Sequence, residues 1–474
     1  MKSVALRYRK VCLPLLLVLM VSGCASFSED GGVDAVSGMT KQRTGQPLYK
    51  MSNEENMANA QMVRDLLGKP LSADDAVHIA LLNNRGLQVA LAELGVAEAD
   101  LVQAGRLRNP GISFARLSGG GETEIDRGIL FDLAGLLTMP MRSKIEGKRF
   151  EQAQLQAATD AVNLVADVRR AYFNAVAAQQ GAELMTRAKD AAEAGAELAQ
   201  QMRQVGNWNR LDAAREQMFY ADTAAQLARS LHQATAARER LMRLLGLWQS
   251  GQTFTLPERL PEMPSQPDAM DELEAQAMTQ RLDVQMAKRN TAATADALGL
   301  TKSTRFINVL DAGYINKSET GSARSNGYEV SVELPLFDWG AARTRKAEAL
   351  YMQAVHRTAE TAIRARSEVR EAYSAYRTAY DLARHYRDEV VPLRKRVSGE
   401  MLLRYNGMLA SVFDLLADAR LQIAAVDASI AAQRDYWLAE TDLQAAVNGS
   451  GGFAVTSSTL SGTGSQSAAA AQTH

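Results

Sequence analysis

Residues 328–340 read Tyr328-Glu329-Val330-Ser331-Val332-Glu333-Leu334-Pro335-Leu336-Phe337-Asp338-Trp339-Gly340, and no other stretch limits the fold as tightly. Tyr328, Val330, Val332, Leu334 and Leu336 alternate with Glu329, Ser331, Glu333 and Pro335. That is the period-two pattern of a strand with one apolar and one polar face. Beyond Gly340 the character changes at once, and about sixty residues follow with almost no Gly or Pro. A two-faced strand therefore feeds straight into a very long helix. Few soluble folds need that junction, whereas a membrane barrel standing on a helical tunnel does.

Bulk properties set few limits. The 474 residues carry 53 basic and 54 acidic side chains, so there is no general attraction to nucleic acid or to an anionic surface. Aromatic residues make up only 6% and Ala is abundant, which suits long close-packed helices better than large globular cores. Beyond the N-terminus no apolar window is long enough for a membrane-spanning helix. A β-barrel is not excluded, because its strands carry a far weaker signal per segment.

The N-terminus reads as a secretory signal over 1–23, with Lys2, Arg7, Arg9 and Lys10 as its basic start and 11–21 as its apolar middle. It ends in Val21-Ser22-Gly23-Cys24, the form of a bacterial lipobox, in which the cysteine is acylated and becomes the first residue of the mature chain. Cys12, the only other cysteine, lies in the segment to be removed, so cysteine serves anchoring here and not redox or metal chemistry. Acyl chains such as palmitate on Cys24 tether a chain to a leaflet without spanning it. Residues 24–70 then read as a lipid-anchored arm, extended and ending in a short helix near 54–67.

A first unit spans 71–246. Ser72 caps a helix with Asp75 at its third position, and that helix runs to about Leu107, where Asn109-Pro110-Gly111 stops it. Two strand candidates follow, 112–118 and 124–133, around the turn Ser118-Gly119-Gly120-Gly121. From 139 to 205 the pattern is uninterrupted helix, a rod of about 100 Å. Along it Leu155, Ala158, Val162, Val165, Val168 and Tyr172 form a near-heptad seam. Gly206-Asn207-Trp208-Asn209 breaks the rod, a second helix returns over 211–245, and Pro257, Pro261, Pro264 and Pro267 mark an equatorial linker, 247–268.

Over 269–448 the programme repeats. Leu87 and Val89 correspond to Leu282 and Val284 at an offset of 195 (282 − 87), and Arg142, Tyr172 and Gly206 to Arg343, Tyr373 and Gly407 at 201 (407 − 206). The six extra residues are expected in the second hairpin, whose loop 317–327 is the longer. Heptad spacing continues in Val369, Tyr373, Tyr376 and Tyr380, and in Leu416, Ala419, Ile423, Val426, Ile430 and Trp437. The tail, 449–474, is too poor in large apolar groups to fold.

Pro335-Leu336-Phe337-Asp338-Trp339-Gly340 resembles the strand-to-helix signature of the TolC-type outer-membrane efflux channels. The text from Ala76-Val77-His78-Ile79-Ala80 through Asn83-Asn84 to Gln103-Ala104-Gly105 resembles their opening helix. The first repeat departs from the signature, offering Phe131-Asp132-Leu133-Ala134-Gly135 and then Pro140. The resemblance implies an α+β membrane protein: a homotrimer whose 12-stranded β-barrel takes four strands per chain and continues as a long α-helical barrel, each chain built from two internal repeats. Val330, Val332 and Leu334 then face lipid, and Glu329, Ser331 and Glu333 line the barrel lumen. It further implies an aperture ringed by Asp414, with Asp418 one residue beyond the spacing of a second ring, where Ala417 stands. The turns at Gly206, Asn207, Gly407 and Met408 become the contacts for a periplasmic adaptor (membrane fusion) protein.

The implied role is the outer-membrane channel of a tripartite efflux system, a passive exit duct for small molecules or metal ions served by an inner-membrane pump. Such a duct needs no catalytic group, cofactor, metal site or nucleic acid. The five His residues, at 78, 232, 356, 385 and 474, form no ligand motif. Two other readings remain open at this point: a type I protein-secretion exit duct, and a non-conducting lipid-anchored periplasmic coiled-coil scaffold.

Overall fold

The structure, a computed structural model of a single chain, describes residues 26–49, 55–247, 253–267, 269, 273–306, 309–333 and 336–449. The expected signal peptide, Cys24, Leu334, Pro335 and the tail beyond Gly449 lie outside the described residues. In chain order the elements are α1 (Val33–Thr44), α2 (Glu55–Leu67), α3 (Ala73–Asn83), α4 (Arg85–Ala104), β1 (Gly111–Gly119), β2 (Glu122–Asp132), α5 (Leu133–Gln204) and α6 (Arg210–Leu244). They continue with α7 (Leu273–Gln280), α8 (Leu282–Ser303), β3 (Leu310–Glu319), β4 (Ser325–Val332), α9 (Ala341–His385), a π-helical turn (Tyr386–Val390), α10 (Val391–Asn406) and α11 (Val412–Asn448). Short helix, longer helix, hairpin, rod and returning helix thus occur twice in the same order.

Ser72 caps α3 as expected, its side chain accepting from the Asp75 amide. The helix does not run on to Leu107, however. Asn84 breaks it by leaving the helical region and capping α4, its side chain accepting from the Leu87 amide. The break has a purpose in packing: Asn84 Nδ2 donates to the Leu244 carbonyl and Asn83 Nδ2 to those of Leu245 and Gly246, at 2.7–3.2 Å. Those carbonyls end the returning helix α6 and have no acceptor role within it. In the second half the joint between α7 and α8 does the same work with a different side chain. Arg281, 2% exposed, sends Nη1 to the Ala446 carbonyl near the end of α11 at 2.7 Å, while Asp283 and Glu368 neutralise it at 2.8 and 2.6 Å.

The rod α5 starts at Leu133, six residues before the expected 139, because Asp132 caps it by accepting from the Gly135 amide. Pro140 then falls inside the helix, where it has no N–H for the Leu136 carbonyl. At 72 residues α5 is about 110 Å long. Its seam is buried as the heptads require: Leu155, Ala158, Val162, Val165, Val168 and Tyr172 are all core. The second rod is not continuous, since a π turn at Tyr386–Val390 precedes Pro392. No residue of α10 is buried.

Two segments are more ordered than their composition suggests. The arm is not extended: α1 packs on α5, with Val33, Val36 and Thr40 buried, and Arg43 Nη2 donates to the Gln280 carbonyl at 2.6 Å. Ser28 donates its amide to Glu98 on α4 at 2.6 Å. The Pro-rich linker buries Phe254, Leu256, Leu260 and Met263 and is tied to the rods by Trp437 Nε1 to the Pro261 carbonyl and Tyr380 Oη to the Ser265 carbonyl. It is a belt across the bundle.

The four strands form one antiparallel sheet in the order β1-β2-β3-β4, leaving β1 and β4 as open edges. The connection of the second hairpin, 320–324, is longer than Gly120-Gly121 in the first. It holds three of the six extra residues (5 − 2), so the others lie elsewhere. The strand expected over 328–336 ends at Val332. Removing the Arg281 guanidinium should be the most damaging single change at these joints. Arg281→Ala leaves Asp283 and Glu368 uncompensated beside a buried helix end, and an unfolding titration should show a loss of about 3–5 kcal/mol; an unchanged midpoint would refute this role.

Candidate functional site

The register assigns every strand residue to a face. On one face lie Ile112, Phe114, Ile129, Phe131, Tyr314, Tyr328, Val330 and Val332, all exposed, from 42% for Ile129 to 89% for Tyr328. On the other, Ser331 stands opposite Asp311 and Asp311 opposite Asp132, while Glu329 faces Gly313. That face also carries Glu124, Asp126, Lys317 and Glu319, with the Lys317 amine paired to Glu124. With Glu122 at the start of β2, seven carboxylates thus share it with one lysine. Glu333 lies one residue past β4, its amide donating to the Val309 carbonyl at 3.3 Å. Glu329, Ser331 and Glu333 keep the parity expected of them. Period two in 124–133 already sets Glu124, Asp126 and Asp132 opposite Ile125, Ile129 and Phe131, whereas the partners on β3 were not legible, because Gly313 interrupts the alternation there.

At the far end of the rods the chain turns twice. In the first turn Gly206 takes the left-handed conformation at φ 78°, and the Asn207 amide reaches back to the Met202 carbonyl at 2.9 Å. This closes the helix end in a Schellman arrangement. In the second turn Gly407 sits at φ −83° and Met408 takes the left-handed place at φ 57°, with the Leu409 amide on the Arg404 carbonyl at 2.8 Å. Gly206 therefore corresponds to Met408, an offset of 202 (408 − 206), and not to Gly407 as the sequence match suggests.

With that register the returning helices open alike. Asn209 caps α6 by accepting from the Asp212 amide, and Ser411 caps α11 by accepting from the Asp414 amide, again at 202 (411 − 209). Asp414 answers Ser411: its carboxylate accepts from the Ser411 hydroxyl at 2.7 Å and the Ser411 amide at 2.9 Å. These two bonds, the hydroxyl's first, hold its pKa below the ordinary Asp value. Asp414 is exposed at the tip. Asp418 is not: it is 5% exposed and accepts from Ser398 Oγ on α10, so its side chain braces two helices and does not share the exposed face of Asp414. The exposed neighbour of Asp414 on that face is Ala417.

Asp212 is the carboxylate that sequence reading missed, although the shared spacing Asn209-x-x-Asp212 and Ser411-x-x-Asp414 carries it. The two turns are also locked together. Trp208 meets the Phe413 ring edge-on at 4.3 Å, and Arg420 holds both oxygens of buried Glu216 at 2.7 Å while its guanidinium lies over Phe219. Beyond this lock Val205, Leu211, Met408 and Leu409 are exposed. Among the described residues no group of His, Cys, Asp and Glu has metal-binding geometry, and no helix is long and apolar enough to cross a membrane.

Residues 141–247, the body of the first rod and its return, match the family of outer membrane efflux proteins. No curated protein sequence matches the chain. Its fold is shared with membrane channels: the outer-membrane channel OprN at 20% identity and TM-score 0.67, over 83% of this chain and 92% of that one. The Campylobacter jejuni CmeC outer membrane channel aligns at 16% identity and TM-score 0.65, over 90% and 93%. The Neisseria gonorrhoeae MtrE outer membrane channel, in its open state, aligns at 17% and 0.66, over 80% and 89%. Residues 141–247 thus match the outer membrane efflux protein family, and the chain has the fold of these outer membrane channels.

Met408 pays a steric cost that Gly206 avoids, and its side chain is 94% exposed with no packing to lose. Met408→Gly should therefore slow hydrogen exchange at the Leu409 amide by several-fold. Faster exchange would show that the left-handed turn is not strained.

Proposed function

We propose that the chain is the outer-membrane channel of a tripartite efflux system, a passive exit duct for small molecules or metal ions. The observation that carries this reading is the sheet. One face is apolar and bare in the half nearer the rods, with Arg116, Arg127, Asn316 and Asn326 towards the hairpin tips, the other is crowded with carboxylates, and both edges are unpaired among the described residues. In lipid an unpaired strand edge is untenable, so four strands must close with those of other copies. Three copies give twelve strands, an even number within the range of known barrels. Val330 and Val332 then meet lipid, and Glu329, Ser331 and Glu333 line water with Asp132 and Asp311. A scaffold without a pore explains the rods but leaves this sheet without a use.

The same symmetry gives the tip its role. Three Asp414 carboxylates brought to one constriction favour cations and oppose one another's ionisation. Asp418 is too enclosed within its own chain to serve as a second ring. The turns at Gly206, Asn207, Gly407 and Met408, with their exposed apolar neighbours, suit a periplasmic adaptor that links the duct to an inner-membrane pump. At the N-terminus the lipobox Val21-Ser22-Gly23-Cys24 supports acylation of Cys24, with chains such as palmitate entering the periplasmic leaflet of the outer membrane.

Conductance tests the reading. Protein purified from outer membranes and added to planar bilayers should open cation-preferring pores, and Asp414→Asn should lower that preference while leaving the barrel intact. Palmitate should label the wild-type chain and not Cys24→Ser. Preparations that never conduct would end the duct and leave the scaffold.

A further inference from the structure

At the foot of the sheet, between the end of α4, the first turns of α5 and the end of α8, lies a cleft of about 970 Å³. Arg106, Arg108, Arg142 and Arg149 line it, against only Asp100 and Glu146. Two of the arginines are spoken for: Arg149 pairs with Glu146 at 2.6 Å, and Arg108 approaches Asp132 at 3.5 Å. The other two keep free donors. Arg106 has no acceptor among the described residues. Arg142 donates Nη2 to the Gly135 carbonyl at 2.8 Å, and its Nη1 has no acceptor among the described residues. Both guanidinium groups therefore offer donors to a cleft with few carboxylates of its own.

The second repeat supplies an internal comparison. Arg305 and Arg343 stand where Arg106 and Arg142 stand in the first, at offsets of 199 (305 − 106) and 201 (343 − 142). Both are satisfied: Arg305 Nε donates to the Trp339 carbonyl at 2.9 Å, and Arg343 lies 3.9 Å from the Asp338 carboxylate. Their acceptors come from the non-helical segment that precedes Gly340. The first repeat has no such segment, because α5 begins at Leu133 directly after β2. It has kept the arginines without counterparts of Trp339 and Asp338, and only Arg142 has found another acceptor, the Gly135 carbonyl.

We propose that this cleft is a binding site for an anion of the phosphate class, held by Arg106 and Arg142 with Arg108 and Arg149 as flanking charge. A guanidinium fork matches two oxygens of a phosphate at once, and two such forks around one cleft are a match for a tetrahedral oxyanion and a poor one for chloride. The phosphate has two sources at this height, the headgroup of an anionic phospholipid and a free phosphate-bearing solute. The site does not depend on conduction, so it stands or falls separately from the duct.

The test is thermal unfolding of the full-length protein, in detergent and in lipid nanodiscs. In detergent, inorganic phosphate should raise the midpoint above that in chloride at equal ionic strength, with an apparent affinity at least tenfold weaker in Arg106→Gln and Arg142→Gln. Should Arg142→Gln fail to fold, Arg106→Gln, an exposed position, and the phosphate-against-chloride comparison on wild type still decide. A response to phosphatidylglycerol over phosphatidylcholine nanodiscs that both variants abolish assigns the site to a headgroup. A response to inorganic phosphate alone assigns it to a solute. No response to either, or responses that both variants retain, overturns the site.

Discussion

The two unpaired edges of the four-stranded sheet are the constraint on which the rest depends. Among the described residues the outer sides of β1 and β4 have no strand partner in the single chain, and the half of one face nearer the rods is apolar side chain without cover. In water such a sheet would aggregate, and in lipid its edges would be intolerable. On the proposed reading both problems have one solution, closure with other copies inside a bilayer. The rods then have to stand beneath the barrel, because each hairpin feeds a helix of barrel-wall length, at once in the first repeat and within nine residues in the second (341 − 332).

Duplication meets the same mechanical needs twice with different side chains. The broken helix that opens each repeat seals the end of the helix that returns, through amides of Asn83 and Asn84 in the first and through a buried, doubly neutralised Arg281 in the second. Each tip needs a left-handed residue, provided by Gly206 in one and forced on Met408 in the other. Each returning helix opens with a capping side chain three residues before an Asp. Where the copies diverge most, at the strand-to-helix junction, the second has a loop that consumes its arginines and the first a helix that does not. These divergences are where chemistry is available beyond holding the bundle together.

Much of this was legible in the sequence. Period two at 328–332 and heptad spacing from Leu155 to Tyr172 report local geometry directly, and both faces and seam lie where the spacing puts them. What was hidden depends on partners distant in sequence. Nothing near Asn84 shows that it closes a helix end some 160 residues away, so the break in the opening helix was missed. Asp132 reads equally well as the end of a strand and as a helix cap, which moved the start of α5. Asp414 and Asp418 look like a pair at the tip until Ser398, on another helix, is seen to hold the second. Cys24 is a matter of sequence alone, since it lies outside the described residues.

The most direct test of closure is a disulfide scan between the two open edges. Single cysteines at 112–116 on β1 would be combined with single cysteines at 328–332 on β4, in a chain whose only other cysteines are Cys12 and Cys24. Oxidation in native membranes should join chains into covalent dimers and trimers and stop there, for pairs in register across a β4-to-β1 seam. A ladder running past three, or no cross-link at any pairing, would contradict a closed barrel of twelve strands.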